Sequence, residues 1–334
     1  MPASLKKVLI IGTGGTIAGA STSATSAIYE SGAIGLDDLI RACPGVESLA
    51  ELSSRPLLRK DSADMSVDDW RRLAIEAAQA MHDGSINGIV ITHGTDTMEE
   101  TAFFLDLTLP KGKPVVLVGA MRPSTSLSPD GPMNLYDAVT VASAPESADR
   151  GVLVTMNGDI FLARHVTKTH TGKLHAFDSP SFGPVGQVMH GKTRYDWTPV
   201  SPGTSISTRL ESSTPAAFPV VAVWHCHADP DHSLAEIQIN SGKLDGIVIA
   251  GFGDGNIPAS YRSLLSQARQ KDIVIVRSTR MFGGIVTPDY NQLDSTYELV
   301  CSRSLNPQKS RILLMLALMQ TKDYRQIQSL FDCY

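Results

Sequence analysis

A chain of 334 residues with 42% hydrophobic and 19% charged side chains has an ordinary globular composition at about twice a typical domain length, which excludes a disordered chain or a minimal scaffold and predicts two domains. Its 29 basic against 34 acidic side chains leave a formal charge of −5 with no dense Lys/Arg block, so it lacks the electrostatic footprint of a nucleic-acid reader. No apolar run approaches the roughly 20 residues of a membrane span, and Cys43, Cys226, Cys301 and Cys333 have no CxxC spacing, so a soluble protein with reduced thiols is expected.

The first predicted strand, residues 8–11, runs into Gly12-Thr13-Gly14-Gly15-Thr16, where glycines permit a sharp turn and present Thr16 in a crowded loop. Lys6 and Lys7 precede too short an apolar run for a secretory signal, which predicts a cytoplasmic protein, or a periplasmic one if a leader peptide has been removed. Residues 66–82 put Trp70, Leu73, Ala74, Ala77 and Met81 on one helical face, with Ser66 as N-cap and Gly84 as the stop. A strand at 88–92 leads into His93-Gly94-Thr95-Asp96-Thr97 and a helix from near Met98, whose Glu99 and Glu100 suit its first turn. Strands at 115–118 and 151–156 follow, the first delivering Gly119-Ala120-Met121-Arg122-Pro123, and a later polar loop holds Thr167-Lys168-Thr169. All four strands are apolar on both faces, as buried parallel strands are.

Four prolines and many hydroxyl residues make residues 198–219 a predicted linker. Beyond it, residues 220–224, 246–250 and 273–276 repeat the strand pattern, and Asn306-Pro307 opens a helix. The expected fold is α/β. A larger N-terminal domain, residues 1–197, has a mainly parallel sheet flanked by helices, and a smaller α/β domain spans residues 220–334.

In open parallel sheets ligands collect beyond the carboxyl ends of the strands, which directs attention to these loops. There is no GxSxG elbow, HExxH, P-loop or EF-hand loop, so a threonine becomes the candidate nucleophile. A threonine hydroxyl needs a neighbour to take its proton, and Tyr29, or Lys168 with its charge offset by Asp96, supplies the types required. Three other readings stand beside this one. The glycines could bind a dinucleotide in an oxidoreductase, although a GxGxxG match from Gly12 meets Ile17 at its third glycine. Thr95 or Asp96 could equally be a simple helix cap, and Lys168 alone would be a solvated surface lysine. His225-Cys226-His227-Ala228-Asp229-Pro230-Asp231-His232 is dense in metal-ligand types. Strand alternation, however, would send His225 and His227 to one face and Cys226 to the other, and Asp-Pro-Asp reads as a turn into a helix. No metal is expected, and Trp70, Phe103 and Phe104 read as core.

Taken together, the motifs resemble the bacterial L-asparaginase and glutaminase-asparaginase family of threonine amidohydrolases. The resemblance rests on Gly14-Gly15-Thr16-Ile17-Ala18-Gly19 and on residues 91–101, ITHGTDTMEET, with further segments at 118–124, 130–135, 166–168 and 305–309. It implies hydrolysis of the side-chain amide of asparagine, in some members also of glutamine, through a threonine acyl-enzyme and without metal or organic cofactor, with a glutaminase-asparaginase of broad specificity as the alternative. By resemblance Thr16 is the nucleophile and Tyr29, in a mobile loop, orients or deprotonates it. Thr95, Asp96 and Lys168 form a second constellation for proton transfer and water activation, and the order in which the two threonines act is left open. The substrate-binding set is then Gly15, Asp61, Ser62, Ala63, Gly94, Thr95, Asp96, Ala120, Asn256 and Asn291. Within it Asp96 takes the α-ammonium, Ser62 and nearby amides the α-carboxylate, and Ala120 the leaving amide. Asn256 would come from a neighbouring subunit of a homotetramer built as a dimer of dimers, with the C-terminal domain contributing to the interface. Two positions depart from many members: Ala63 replaces Gln or Glu, and Asn291 stands where a glutamate often reaches the ammonium. Both remove polar groups and imply weaker substrate binding and weak glutaminase activity.

Overall fold

The structure, a computed structural model, describes residues 5–23, 25, 28–199 and 217–334. The chain divides into two compact units, Met1–Glu211 and Ser212–Tyr334. Most of the expected linker, residues 200–216, lies outside the described residues.

In the first unit the chain runs through strand β1 (Lys6–Gly14), helix α1 (Leu36–Arg41), β2 (Ala50–Lys60), α2 (Val67–His82), β3 (Gly88–Thr92), α3 (Met98–Thr108), β4 (Val115–Val118), α4 (Gly131–Ser143) and β5 (Val152–Met156). It continues with β6 (Asp159–Leu162), β7 (Thr167–Lys168), β8 (Phe177–Asp178), β9 (Gly186–Met189) and β10 (Lys192–Tyr195). The main sheet has the order β10-β9-β6-β5-β4-β3-β1-β2. It is parallel from β2 to β5 and antiparallel where β6, β9 and β10 extend it. The Val/Ile/Leu runs of β3, β4 and β5 are buried along their whole length, each such side chain contributing about 1.5–3 kcal/mol. Strand β2, by contrast, is mostly exposed. It sits at the sheet edge, where Pro56 needs no ladder donor, and this is why its sequence does not read as a buried strand.

Helix α2 begins as expected from Ser66. The Ser66 hydroxyl accepts from the Asp69 N–H at 3.2 Å, and the Ser66 N–H donates to Asp69 Oδ2 at 3.0 Å, a reciprocal capping box. Trp70 packs on Phe104 with ring centroids 5.4 Å apart, and both lie with Phe103 in the core. The sheet order carries a functional consequence. From β1 the chain crosses to β2 on one side, and from β3 it crosses to β4 on the other. The point where the strand order reverses therefore lies between β1 and β3, and their carboxyl ends are where a ligand crevice is expected.

The second unit contains β11 (Val221–His225), α5 (Ser233–Asn240), β12 (Gly246–Gly251), α6 (Arg262–Gln270), β13 (Val274–Thr279), α7 (Leu293–Tyr297), β14 (Val300–Cys301), α8 (Pro307–Leu318) and α9 (Tyr324–Cys333). Its sheet, β11-β12-β13-β14, is parallel throughout. Asn306 caps α8 by accepting the Lys309 N–H at 3.0 Å, and α8 packs across β11, β12 and β13. Strand β13 runs past its expected end because the fully buried Arg277 is neutralised by Asp294, with Nε to Oδ1 at 2.6 Å and Nη2 to Oδ2 at 2.7 Å. All four cysteines are free thiols.

Candidate active site

At the end of β1 the backbone turns through Gly14 and Gly15, both with positive φ (105° and 79°), and delivers Thr16 as the first residue of a short 3-10 turn. The reason for glycine at 15 is contact: a Cβ there would lie 2.3 Å from the backbone of Gly94. Two bare backbones thus touch, bringing the loops that follow β1 and β3 together. Thr16 is nearly buried, and its Oγ1 lies 2.6 Å from the Tyr29 hydroxyl, either of which can donate.

Thr95, also nearly buried, accepts a hydrogen bond from Lys168 Nζ at 2.8 Å, and the same ammonium donates to Asp96 Oδ1 at 2.5 Å. Lys168 is held in β7, where its backbone N–H donates to Glu99 Oε2 at 2.7 Å. A solvated surface lysine is therefore not what this residue is. The helix-cap reading fails as well: Thr97 occupies the N-cap of α3 without a side-chain cap bond, and Thr95 and Asp96 spend their side chains on Lys168.

Ser62 ties a third segment to this centre. Its Oγ accepts from the Asp96 N–H at 3.1 Å and its carbonyl from the Thr97 hydroxyl at 2.7 Å. Asp61 closes its own turn by accepting the Ala63 N–H at 3.0 Å and takes a second bond from the Ser31 hydroxyl at 2.8 Å. Beneath lies His93, fully buried, whose Nδ1 is 2.7 Å from the Gly94 carbonyl and whose Nε2 is 3.0 Å from Thr101 Oγ1. Since a carbonyl only accepts, Nδ1 carries the proton and Nε2 accepts, leaving Thr101 to receive the Trp70 indole N–H at 2.9 Å. Burial pushes the His93 pKa down to about 4, so it is a neutral brace for the Gly94 loop.

These groups surround a cavity of about 750 Å³. Gly15, Thr16, Tyr29, Asp61, Ser62, Gly94, Thr95, Asp96 and Lys168 line it. Four residues of the predicted set do not. Ala63 is exposed on the far side of its turn, and Ala120 is packed into the core cluster under the sheet. Asn256 and Asn291 belong to the second unit, Asn256 in a tight turn after β12 and Asn291 exposed before α7. The rest of the lining reaches beyond the predicted set. It comes mostly from Met121, Arg122, Pro123, Ser126, Leu127 and Ser128, steadied by Asp130, whose carboxylate accepts the Met121 and Arg122 N–H groups, both at 2.9 Å. Met121, Arg122 and Pro123 stand in the loop after β4 to which the sequence directed attention, whereas Ser126, Leu127 and Ser128 carried no such signal.

The geometry bears on the competing chemistries. A dinucleotide pyrophosphate sits on a helix N-terminus directly after the glycine turn, but after Thr16–Ala18 the next helix begins only at Leu36. Among the described residues no group of three His, Cys, Asp or Glu could hold a metal. In the segment 225–232, His225 and His227 are exposed, Cys226 is buried, and Asp231 accepts from the Ser233 N–H at 2.9 Å as the chain enters α5.

Residues 7–201 match the family model described as asparaginase, N-terminal, and residues 220–331 that of the glutaminase/asparaginase C-terminal domain. The chain is 44% identical to L-asparaginase 2 of Escherichia coli, with 99% of this chain and 94% of that protein covered. It is 43% identical to a protein of Haemophilus influenzae named probable L-asparaginase periplasmic, covering 99% of this chain and 93% of the other. Among solved structures, the probable cytoplasmic L-asparaginase of Campylobacter jejuni superposes with a TM-score of 0.92 at 39% identity, covering 98% of this chain and 100% of that one.

Proposed function

The chain belongs to the asparaginase family, and from that premise we propose that it is an L-asparaginase, a hydrolase that converts L-asparagine and water to L-aspartate and ammonia. The observation that carries this reading is the convergence of the Thr16–Tyr29 pair and the Thr95–Lys168–Asp96 group on one cavity.

Thr16 Oγ attacks the side-chain amide carbon while its proton passes to the Tyr29 oxygen and on to the leaving nitrogen, which departs as ammonia. The resulting aspartyl ester on Thr16 is cleaved by a water held at Thr95, beside the Lys168 ammonium whose charge Asp96 balances: the water oxygen bonds the acyl carbon, the bond to Thr16 Oγ breaks, and the water's proton returns to Thr16 Oγ by way of Tyr29. Backbone amides of the Thr16 and Thr95 loops are the donors for the oxyanion. At the other end of the substrate, the Asp96 carboxylate pairs with the α-ammonium, while Ser62 and the amides of the Asp61–Ala63 turn take the α-carboxylate. Ala63 and Asn291 leave the polar end of the site thinly furnished, which supports weak binding and poor use of glutamine.

We infer further that the enzyme is a homotetramer in which Asn256 and Asn291 of one subunit serve the pocket of another, and that it is cytoplasmic, which the free thiols support. The test of the function is steady-state ammonia release by purified protein from asparagine, glutamine and short amides with no added cofactor. Turnover of asparagine is expected. Binding without turnover, or equal efficiencies on asparagine and glutamine, would overturn the activity or the specificity respectively.

A further inference from the structure

Ser31 neither lines the cavity nor belongs to the substrate-binding set, yet it occupies a strategic place. The segment that carries it runs back along the residues after Thr16. Ala20 and Glu30 exchange both backbone hydrogen bonds, at 3.1 and 2.8 Å, and the Ile34 N–H donates to the Ala18 carbonyl at 2.9 Å. At one end of this segment Tyr29 meets Thr16 at 2.6 Å. At the other end the Ser31 hydroxyl donates to Asp61 Oδ2 at 2.8 Å, and Asp61 opens the turn that contains Ser62. Tyr29, which lines the cavity, and the residues behind it to Ser31 therefore form a wall held at both ends, by the nucleophile and by the turn that receives the substrate's α-carboxylate.

We propose that Ser31 is a specificity-determining positioning residue: its bond to Asp61 keeps this wall taut, so that the space between the turn and Thr16 fits an asparagine side chain and resists one methylene more. The proposal rests on the reading of the cavity as an asparaginase site. A longer side chain anchored at its α-carboxylate must push the wall outward to bring its amide to Thr16. The Ala20–Glu30 backbone pair and the Gly32 N–H, which donates to the Gly15 carbonyl at 3.3 Å, also hold this segment, so among the side-chain ties it is the Ser31–Asp61 and Tyr29–Thr16 bonds that set how far the wall can move. One methylene in a snug pocket is worth on the order of 10–200-fold in kcat/KM, so a latch that governs the fit has room to act.

The experiment compares kcat/KM for asparagine and glutamine in wild type, Ser31→Ala and Ser31→Thr. In Ser31→Ala the asparagine-to-glutamine ratio should fall at least about threefold, mainly through a lower KM for glutamine, and Ser31→Thr, which keeps the hydroxyl, should retain the wild-type ratio. A ratio unchanged in Ser31→Ala, or a parallel loss with both amides as from simple damage to packing, would overturn the latch. A second arm places Ser31→Ala in an Asp61→Ala background, where the ratio should no longer respond, and a persistent response would overturn it too. Wild-type protein that releases ammonia from neither amide would sink the asparaginase reading and the latch together, whereas an active enzyme with an unmoved ratio sinks the latch alone.

Discussion

Thr16 and Tyr29 are 2.6 Å apart, a distance that lets a proton pass between them with little rearrangement. On the proposed mechanism, Thr16→Ala loses the acyl-enzyme route and should lower kcat by on the order of 10³-fold or more while asparagine still binds, which single-turnover kinetics and calorimetry can separate. Lys168→Met should also abolish most turnover, since it strips Thr95 and Asp96 of their shared cation. Among residues outside the reacting group, Asp137 on α4 stands out. It is almost fully buried, its Oδ1 has no hydrogen-bond partner among the described residues, and desolvation raises its pKa to about 7. A carboxyl whose folded pKa lies above its unfolded value of 3.8 binds more protons in the folded chain, so stability is lost as pH rises from about 4 to about 7. Asp137→Asn should therefore raise Tm at pH 8 and have little effect near pH 4. His93 has the opposite sign: its pKa falls from 6.5 to about 4, so its share of stability is lost as pH drops through that window.

At the level of elements, the regular strands and helices were plain in the sequence because their signals are local. Residues 88–92 and 115–118 became β3 and β4, and Ser66 and Asn306 cap α2 and α8. What escaped was whatever depends on distant partners. Strand β2 has a polar pattern because it lies at an edge, and the antiparallel strands β6, β9 and β10 are short pieces whose pairing no run of residues announces. The site divides in the same manner. Thr16, Thr95, Asp96, Lys168 and the loop to Pro123 could be named from motifs, but the lining by Ser126, Leu127 and Ser128 and the Ser31–Asp61 bond come from contacts across the fold. The same non-local logic makes β13 fragile at one point. Removing Asp294 would strand the buried Arg277 guanidinium, and Asp294→Ala should cost about 3–5 kcal/mol in urea unfolding.

For the molecule as a whole, the asymmetry between the units has a consequence for assembly. The reacting groups all sit in the first unit, while Asn256 and Asn291 sit in the second. If subunits share pockets, mixing an inactive Thr16→Ala variant with an Asn256→Ala variant and allowing exchange should create some pockets that are wild type in both parts. Activity should then rise above the mean of the two preparations, and light scattering should give a mass near four times 35.8 kDa. Strictly additive activity after exchange would place Asn256 in its own subunit's pocket or in none.

The contact between Gly15 and Gly94 means that the two threonine loops have no side chain between them to act as a cushion. They form one mechanical body. A ligand that grips only the Thr95 side, such as a small alkylammonium ion paired with Asp96, should slow amide hydrogen exchange across residues 14–19 as much as across residues 93–97. Gly94→Ala, which would press a methyl group to within 2.6 Å of the Ser62 hydroxyl, should uncouple the two protection patterns.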